Sequence, residues 1–525
     1  MRDKGIYKIL AILMALVLIG SCAAMPSAGD VSESEVKSSS SATIYVPDNY
    51  PTIQAAVNAT TPGDTIIVRD GTYNYNYKEN IDVKKPHLTI KSENGSENCI
   101  VQAANSSDNV FTVTADYVNI SGFTVTGATR ANPYDCAGIR VDNAYHCNIS
   151  DNFVTKNYLG IYLNSSSNNT FTDSIASNNW YGICLSSSSN NTFSNNSANS
   201  NSYDGVYLYY SSSNTFTNNS ANTNNDDGIY LRSSNNNTFS NNNASNNDDG
   251  IWLGYFSNNN TFMNNSANSN NYDGIYLYYS SSNTFSNNNA SNSDDGIKLD
   301  YSSSNMFMNN NASNNNDNGI RLSSSSINTF SNNNANSNSY DGIYLYSSSS
   351  NTFLNNNANL NNDKGIHLYF SSSNTFTNNN ANSNNGNGIW LGYSSNNAIT
   401  NNNANSNNHF GIYLYYSSDN TIYLNDFINN TDNVHSYDSN NIWNATEEIT
   451  YTYNGGQCTN YIGNYWDDYK GKYPYAKEID EIGVWDTPYR INSDNDYYPL
   501  MDRVENYFVS IENFFQAGNV ICNCR

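Results

Sequence analysis

A glycine followed by isoleucine or valine returns at positions 138, 160, 182, 205, 228, 250, 274, 296, 319, 342, 365, 388 and 411. From Gly138 to Gly411 the chain advances 273 residues in 12 steps, or about 22.75 residues per step. A second marker, Asn-Thr-Phe, keeps the same phase and begins at Asn169, Asn191, Asn214, Asn237, Asn260, Asn283, Asn328, Asn351 and Asn374. A fixed period of this length belongs to stacked architectures, in which one unit cannot bury its apolar face alone.

Each unit reads Gly-Ile-Tyr-Leu, a polar turn, Asn-Thr-Phe, then Asn-Asn-x-Ala and another polar turn. No segment is long enough for a helix, and Asn, Ser and Gly favour turns over helix interiors. Ile and Leu stand two apart, so both face one side while the residue between them faces the other. Three short strands and three turns use up the period, which describes one coil of a parallel β-helix. A leucine-rich repeat has a similar length but needs L-x-x-L-x-L before its Asn, and these units lack it. Stacked coils place like residues over one another: Ile on Ile, Phe on Phe, and Asn on Asn in an amide ladder.

Only 13% of residues are charged, yet 46 acids face 22 bases, giving a net charge of −24. No basic cluster exists to release counterions from a phosphate backbone, so nucleic acid is excluded as a partner. The single long apolar run, Ile9 to Ile19, follows Arg2, Lys4 and Lys8 and precedes Gly20-Ser21-Cys22-Ala23-Ala24. That is the order of a secretory signal, and the run is too short to span a bilayer. Ile19-Gly20-Ser21-Cys22 resembles a lipoprotein processing site, which makes Cys22 a candidate for lipidation. A signal or lipid anchor is then the only expected tie to a membrane. The eight cysteines show no paired metal spacing. Asn-x-Ser/Thr acceptors such as Asn58, Asn94, Asn119, Asn148 and Asn168 allow glycosylation of an exported chain.

Three segments carry a family resemblance. Thr52-Ile53-Gln54-Ala55-Ala56-Val57 with Pro62-Gly63-Asp64-Thr65-Ile66-Ile67-Val68 resembles the opening of pectin-lyase-like β-helix proteins, and Ala115 to Phe123 resembles their next coils. Gly463-Asn464-Tyr465-Trp466-Asp467-Asp468-Tyr469, Asp486-Thr487-Pro488-Tyr489 and Asp496-Tyr497-Tyr498-Pro499-Leu500 are similar to the C-terminal signature of NosD-like proteins. Those proteins are built on CASH-type repeats, named for carbohydrate-binding proteins and sugar hydrolases. The resemblance covers about residues 43–503 and extends to archaeal cell-surface proteins rich in the same repeats. It implies an all-β, right-handed parallel β-helix of three strands per coil, with an N-terminal cap and a C-terminal capping segment. The expected division is signal peptide 1–24, spacer 25–42, cap and first coils 43–137, repeat helix 138–442, capping segment 443–503 and a tail of unassigned role 504–525. One departure stands between Tyr469 and Asp486, where an acidic run of the family is replaced by Lys470 to Glu481.

The resemblance to NosD implies copper delivery, but His87, His146, His367, His409 and His435 are scattered and copper prefers clustered His, Cys or Met. A polysaccharide lyase or hydrolase needs carboxylates at a fixed separation on one distinctive coil. Here Asp recurs at one phase, and no coil breaks the pattern. A catalytic set is therefore not assigned. Asp204, Asp227, Asp249, Asp273 and Asp295 fall on successive coils just before the glycine. They read either as a solvated acidic turn beside a glycine of positive φ, or as a column bridged by calcium, the one cofactor suggested. The outward position of Gly-Ile-x-Leu holds Tyr207, Tyr230, Trp252, Tyr276, Tyr344, Trp390 and Tyr413, interrupted by Lys298, Arg321 and His367. This stripe is either mutual support between coils or a carbohydrate-binding face. The expectation is an exported, cell-surface, non-catalytic protein that binds polysaccharide or envelope components. A polysaccharide-processing enzyme and a copper-maturation accessory are the alternatives.

Overall fold

The computed structural model describes residues 41–74, 80–130 and 136–509. The signal segment with Cys22, the spacer as far as Ser40, and the tail from residue 510 lie outside the described residues.

The repeat winds into a parallel β-helix. The Gly-Ile-x-Leu segments form a 16-stranded sheet and the Asn-Thr-Phe segments a 17-stranded one. In both, each strand is parallel to the strand one period away, as in Val206–Tyr209 on Ile229–Arg232 and Thr215–Thr217 on Thr238–Ser240. Register is like on like: Leu208 faces Leu231 and Phe216 faces Phe239. The third face departs from the three-strand expectation. It holds five strands, Gly71–Tyr73 to Ile175–Ala176, and then thins to single bridges such as Asn243↔Ser266 and Asn334↔Asn357.

The interior is narrow and dry. Ile251, Leu253, Phe262 and Ala267 are fully buried, and their equivalents repeat the pattern. Phe171 starts a column of ten rings, ending at Phe376, with centroids 4.5–4.9 Å apart and planes within 8°. Buried asparagines replace apolar residues at the corners. The Asn242 side chain donates to Phe216 O (3.0 Å) of the preceding coil and to Asn265 Oδ1 (3.0 Å) of the next. The Asn242 N–H donates to the same Oδ1 (2.9 Å). Each amide therefore spans three coils and satisfies turn groups that would otherwise be buried without partners.

The repeat glycines serve a different purpose from the positive φ expected of them. None belongs to the positive-φ set. A Cβ on Gly228 would lie 2.6 Å from Asn247 Nδ2, 2.8 Å from the Ala244 Cβ and 2.8 Å from Gly250 O. Glycine is required because the Asn-x-Ala face and the backbone of the next coil close on it there.

The N-terminal end is covered by the helix Ile53–Ala59, which Thr52 caps by accepting from Ala55 N (3.0 Å). At the other end the chain leaves the coil and folds back, with Ile449–Tyr453 antiparallel to Gly456–Asn460 and to Phe508–Val509. The asparagine column ends on Asn464, whose N–H donates to Asp496 Oδ2 (2.8 Å). Trp466 Nε1 (3.0 Å) and Tyr498 N (3.1 Å) also donate to this fully buried carboxyl. Burial pushes Asp496 up to about 7 and Asp426, beside Val504, up to about 6. Both folded values exceed the ordinary carboxyl value of about 3.9. Stability from these groups is thus fully present below pH ~4 and is lost as pH rises through 6–7. In chelator, unfolding followed by Trp443, Trp466 and Trp485 fluorescence is expected to begin several degrees lower at pH 8 than at pH 5. Asp496→Asn should reduce that slope; an unchanged slope in the variant would remove Asp496 as its source. Among the described residues, no helix is long and apolar enough to cross a membrane.

Candidate functional site

The Gly-Ile-x-Leu sheet carries three adjacent columns with chemistry. The first is the predicted aspartate column, which the structure stacks in register. Asp227 N–H donates to Asp204 Oδ1 (3.2 Å) and Asp273 N–H to Asp249 Oδ1 (2.7 Å). The solvated-turn reading fails: Asp204 is 4% exposed, Asp227 2%, Asp273 3% and Asp295 2%. The convergence that excludes a glycine Cβ also draws these side chains inward. Asn318 and Asp341 continue the column.

The column divides in two. Asp273 Oδ2 meets Lys298 Nζ (2.9 Å), Asp295 Oδ2 meets Arg321 Nη1 (3.3 Å) and Asp341 Oδ2 meets His367 Nδ1 (2.6 Å). The three breaks in the aromatic stripe are therefore partners of the aspartates, reaching back one coil. Opposite Asp204, Asp227 and Asp249 the same position holds Tyr230, Trp252 and Tyr276. There Asp204 and Asp227 converge with Asp226, one carboxylate oxygen from each lying within 4.8 Å of the others. Burial pushes the Asp204 and Asp227 carboxyls up, and neighbouring carboxylates push further. Asp226 belongs to a second, outer acidic column with Asp248, Asp294 and Asp317. Sequence reading gave no site role to this outer column, because adjacent aspartates look alike before the corner is built.

The second column is the aromatic stripe. Tyr207, Tyr230, Trp252 and Tyr276 stack at 5.2, 4.3 and 5.9 Å, with planes within 24°. Tyr344, His367, Trp390 and Tyr413 form a second run of tilted and edge contacts at 4.6, 4.5 and 6.3 Å. All seven predicted aromatic residues are half-buried. In the first run the ring faces cover one another, so edges rather than faces reach solvent. Gly254 and Gly392 follow the two tryptophan coils, and a Cβ on Gly392 would lie within 2.4 Å of the Trp390 ring. A hollow of about 220 Å³ opens on the stripe where Cys184 stands between Tyr162 and Tyr207. Burial pushes Tyr207 up to about 12.

The third column lies at the corner three residues beyond the stripe and was not recognised from the sequence. It runs Tyr210, Ser233, Tyr255, Tyr279, Tyr301, Ser324, Ser347, Phe370, Tyr393 and Tyr416, all at φ between +46 and +54°. Phe256 follows Tyr255 at φ +70. Tyr210 is 57% exposed and Phe256 66%, and the other aromatic residues of the column are also exposed. Tyr279 and Tyr301 stack at 4.7 Å; Phe370, Tyr393 and Tyr416 stack at 5.0 and 5.4 Å. Tyr301 and Phe370 are each stacked on one side only, with Ser324 and Ser347 between them. The Tyr-Tyr doublets at 209–210, 278–279 and 415–416 were the available signal.

Family models match two overlapping stretches of the chain. "Periplasmic copper-binding protein (NosD)" matches residues 200–336, 245–361 and 308–471, and "Right handed beta helix region" matches 98–267. No curated protein sequence matches the chain. Among solved structures, the chain is similar to an alginate lyase from Paenibacillus sp. str. FPU-7. That match has 17% identity, covers 47% of this chain and 93% of the other, and has a TM-score of 0.31. Pectate lyase Pel9A matches at 19% identity, covering 66% and 80%, with a TM-score of 0.34. The catalytic domain of a GH87 alpha-1,3-glucanase in complex with nigerose matches at 16%, covering 67% and 71%, with a TM-score of 0.40.

Proposed function

The chain belongs to the NosD family of right-handed β-helix proteins, and from that premise we propose that it is an exported, non-catalytic rod that binds neutral polysaccharide along its tyrosine corner. One observation carries this reading. A bulky residue in the left-handed region is disfavoured by about 1–2 kcal/mol. At this corner neighbouring coils use Ser233, Ser324 and Ser347, whereas the aromatic coils accept the strain and leave their rings exposed. Burial therefore does not compensate the strain, which leaves ring stacking along the corner and a contact outside the chain to do so. The face of Tyr301 on the Ser324 side suits the apolar face of a sugar ring, and the tyrosine hydroxyls suit its hydroxyls. The net charge of −24 repels acidic polymers, which favours a neutral glycan.

Copper, named in the family description, does not fit the described residues. Tyr117 stands between His87 and His146, stacked at 4.6 and 4.8 Å. His367 is bonded to Asp341, and its unpartnered Nε2 stands alone. The converging group found among the described residues is all carboxylate, whereas copper prefers nitrogen and sulfur donors.

The test uses the full chain with a soluble α-1,3-glucan as probe and alginate as the acidic comparison. Tyr279→Ser, Tyr301→Ser, Phe370→Ser and Tyr393→Ser together install the residue that sister coils already use, so the rod should keep its melting temperature. Glucan binding should weaken at least about tenfold, as expected when aromatic anchors are lost. Equal binding by the variant removes the corner as the site, and release of reducing ends moves the protein into the enzyme class.

A further inference from the structure

The aspartate column follows one rule along the rod and breaks it at one place. Asp273, Asp295 and Asp341 each receive a basic side chain from the next coil's strand. Asp204, Asp226, Asp227 and Asp249 form no ion pair among the described residues, although Asp204 (4% exposed) and Asp227 (2%) are enclosed like the paired ones, which are 2–5% exposed. Asp227 Oδ2 is buried and has no hydrogen-bond partner. An unpaired carboxylate in such a place is strongly unfavourable, and here three converge.

The spacing fits a hard cation. Calcium takes oxygen ligands at about 2.3–2.6 Å in a flexible geometry, so the ligand atoms of one ion lie within roughly 5 Å of one another. The three carboxylate oxygens lie within 4.8 Å of one another. The Asp204 carboxylate is already fixed from one side, since its Oδ1 accepts the Asp227 N–H. The more exposed Asp226 opens the cluster to solvent, which gives an ion its entry and water for its remaining positions.

We propose that Asp204, Asp226 and Asp227 bind one calcium ion, which takes the place that Lys298, Arg321 and His367 fill farther along the column. The ion neutralises a stretch of the rod whose stripe positions are occupied by aromatic residues and so have no room for a basic side chain.

Two substitutions test this without disturbing the coil. Asp227→Asn uses the residue that the column itself carries at Asn318 and Asn387. Trp252→Lys reproduces across Asp227 the 25-residue spacing of the Asp273–Lys298 pair. The full chain is stripped with chelator, dialysed at pH 7.5 and titrated with calcium alone. Wild type is expected to take up one equivalent and to melt at a higher temperature with calcium than without. Asp227→Asn should bind at least about tenfold more weakly, in line with affinity set by ligand charge count. Trp252→Lys should lose the calcium-dependent shift while melting, metal-free, at or above wild type. A wild-type melting temperature unmoved by millimolar calcium overturns the proposal and leaves the carboxyls protonated. Equal calcium uptake by wild type and Asp227→Asn overturns it as well. Neither result bears on the tyrosine corner, whose glucan binding is read separately.

Discussion

Gly319→Ala is expected to break the rod at its middle. The added methyl would lie 2.6 Å from Asn338 Nδ2, 2.7 Å from the Ala335 Cβ and 2.7 Å from Gly342 O. Two of these belong to a buried amide column and to the backbone of the next coil, so neither can swing aside. Overpacking typically costs about 1–3 kcal/mol, and neighbours that cannot move put this site at the upper end of that range. The rod gains stability from contacts between neighbouring coils, so a forced gap removes an interface as well as straining a residue. Chemical denaturation should show a single wild-type transition split into two, and limited proteolysis should cut near residues 317–342. A variant that melts within a degree of wild type in one step would contradict the close-packing account of the glycine column.

Asn333→Leu should be comparably damaging for the opposite reason, a loss of polar partners without a change of volume. Asn333 donates through Nδ2 to Phe307 O (3.0 Å) and to Asn356 Oδ1 (3.0 Å), and accepts from Asn310 N (2.9 Å) and Nδ2 (3.0 Å). Leucine leaves the groups on both neighbours buried and unpaired, each worth about 1–3 kcal/mol. The effects overlap, so the expected loss is about 3–5 kcal/mol. Asn333→Asp separates this from a packing effect. It keeps the acceptors but places a carboxylate against Phe307 O, so its stability should fall as pH rises above the carboxyl range and recover on acidification. Equal stability of the leucine variant and wild type would mean that the amide column contributes no net stability.

The period, the stacking register and the amide ladder were legible because they depend only on which residues recur one coil apart. Radial direction was not legible. Asp226 and Asp227 are neighbours of the same type, yet one lies on an outer column while the other is enclosed. That difference arises from how three faces close on one another, which no single coil encodes. The glycines were misread for the same reason, since turn chemistry and close approach both select glycine. Column membership of Tyr207 and Trp252 was correct, but the parallel register that aligned them also covered the faces of the first run's rings. The exposed corner at Tyr279 and Tyr301 was hidden because the sequence cannot show that the second residue of a tyrosine doublet is left-handed.

The amide columns have a consequence for how such a chain changes over time. Asn310 meets Asn333 above it, and Asn356 would meet it equally well if one coil were excised. Between Phe171 and Phe376 the ring column repeats from one storey to the next without a break. A whole period can therefore be duplicated or dropped by slippage in the gene without any interior contact being redesigned. Height is the freely adjustable dimension of this molecule, and the outer features, the tyrosine corner and the carboxylate trio, are decoration set at chosen floors.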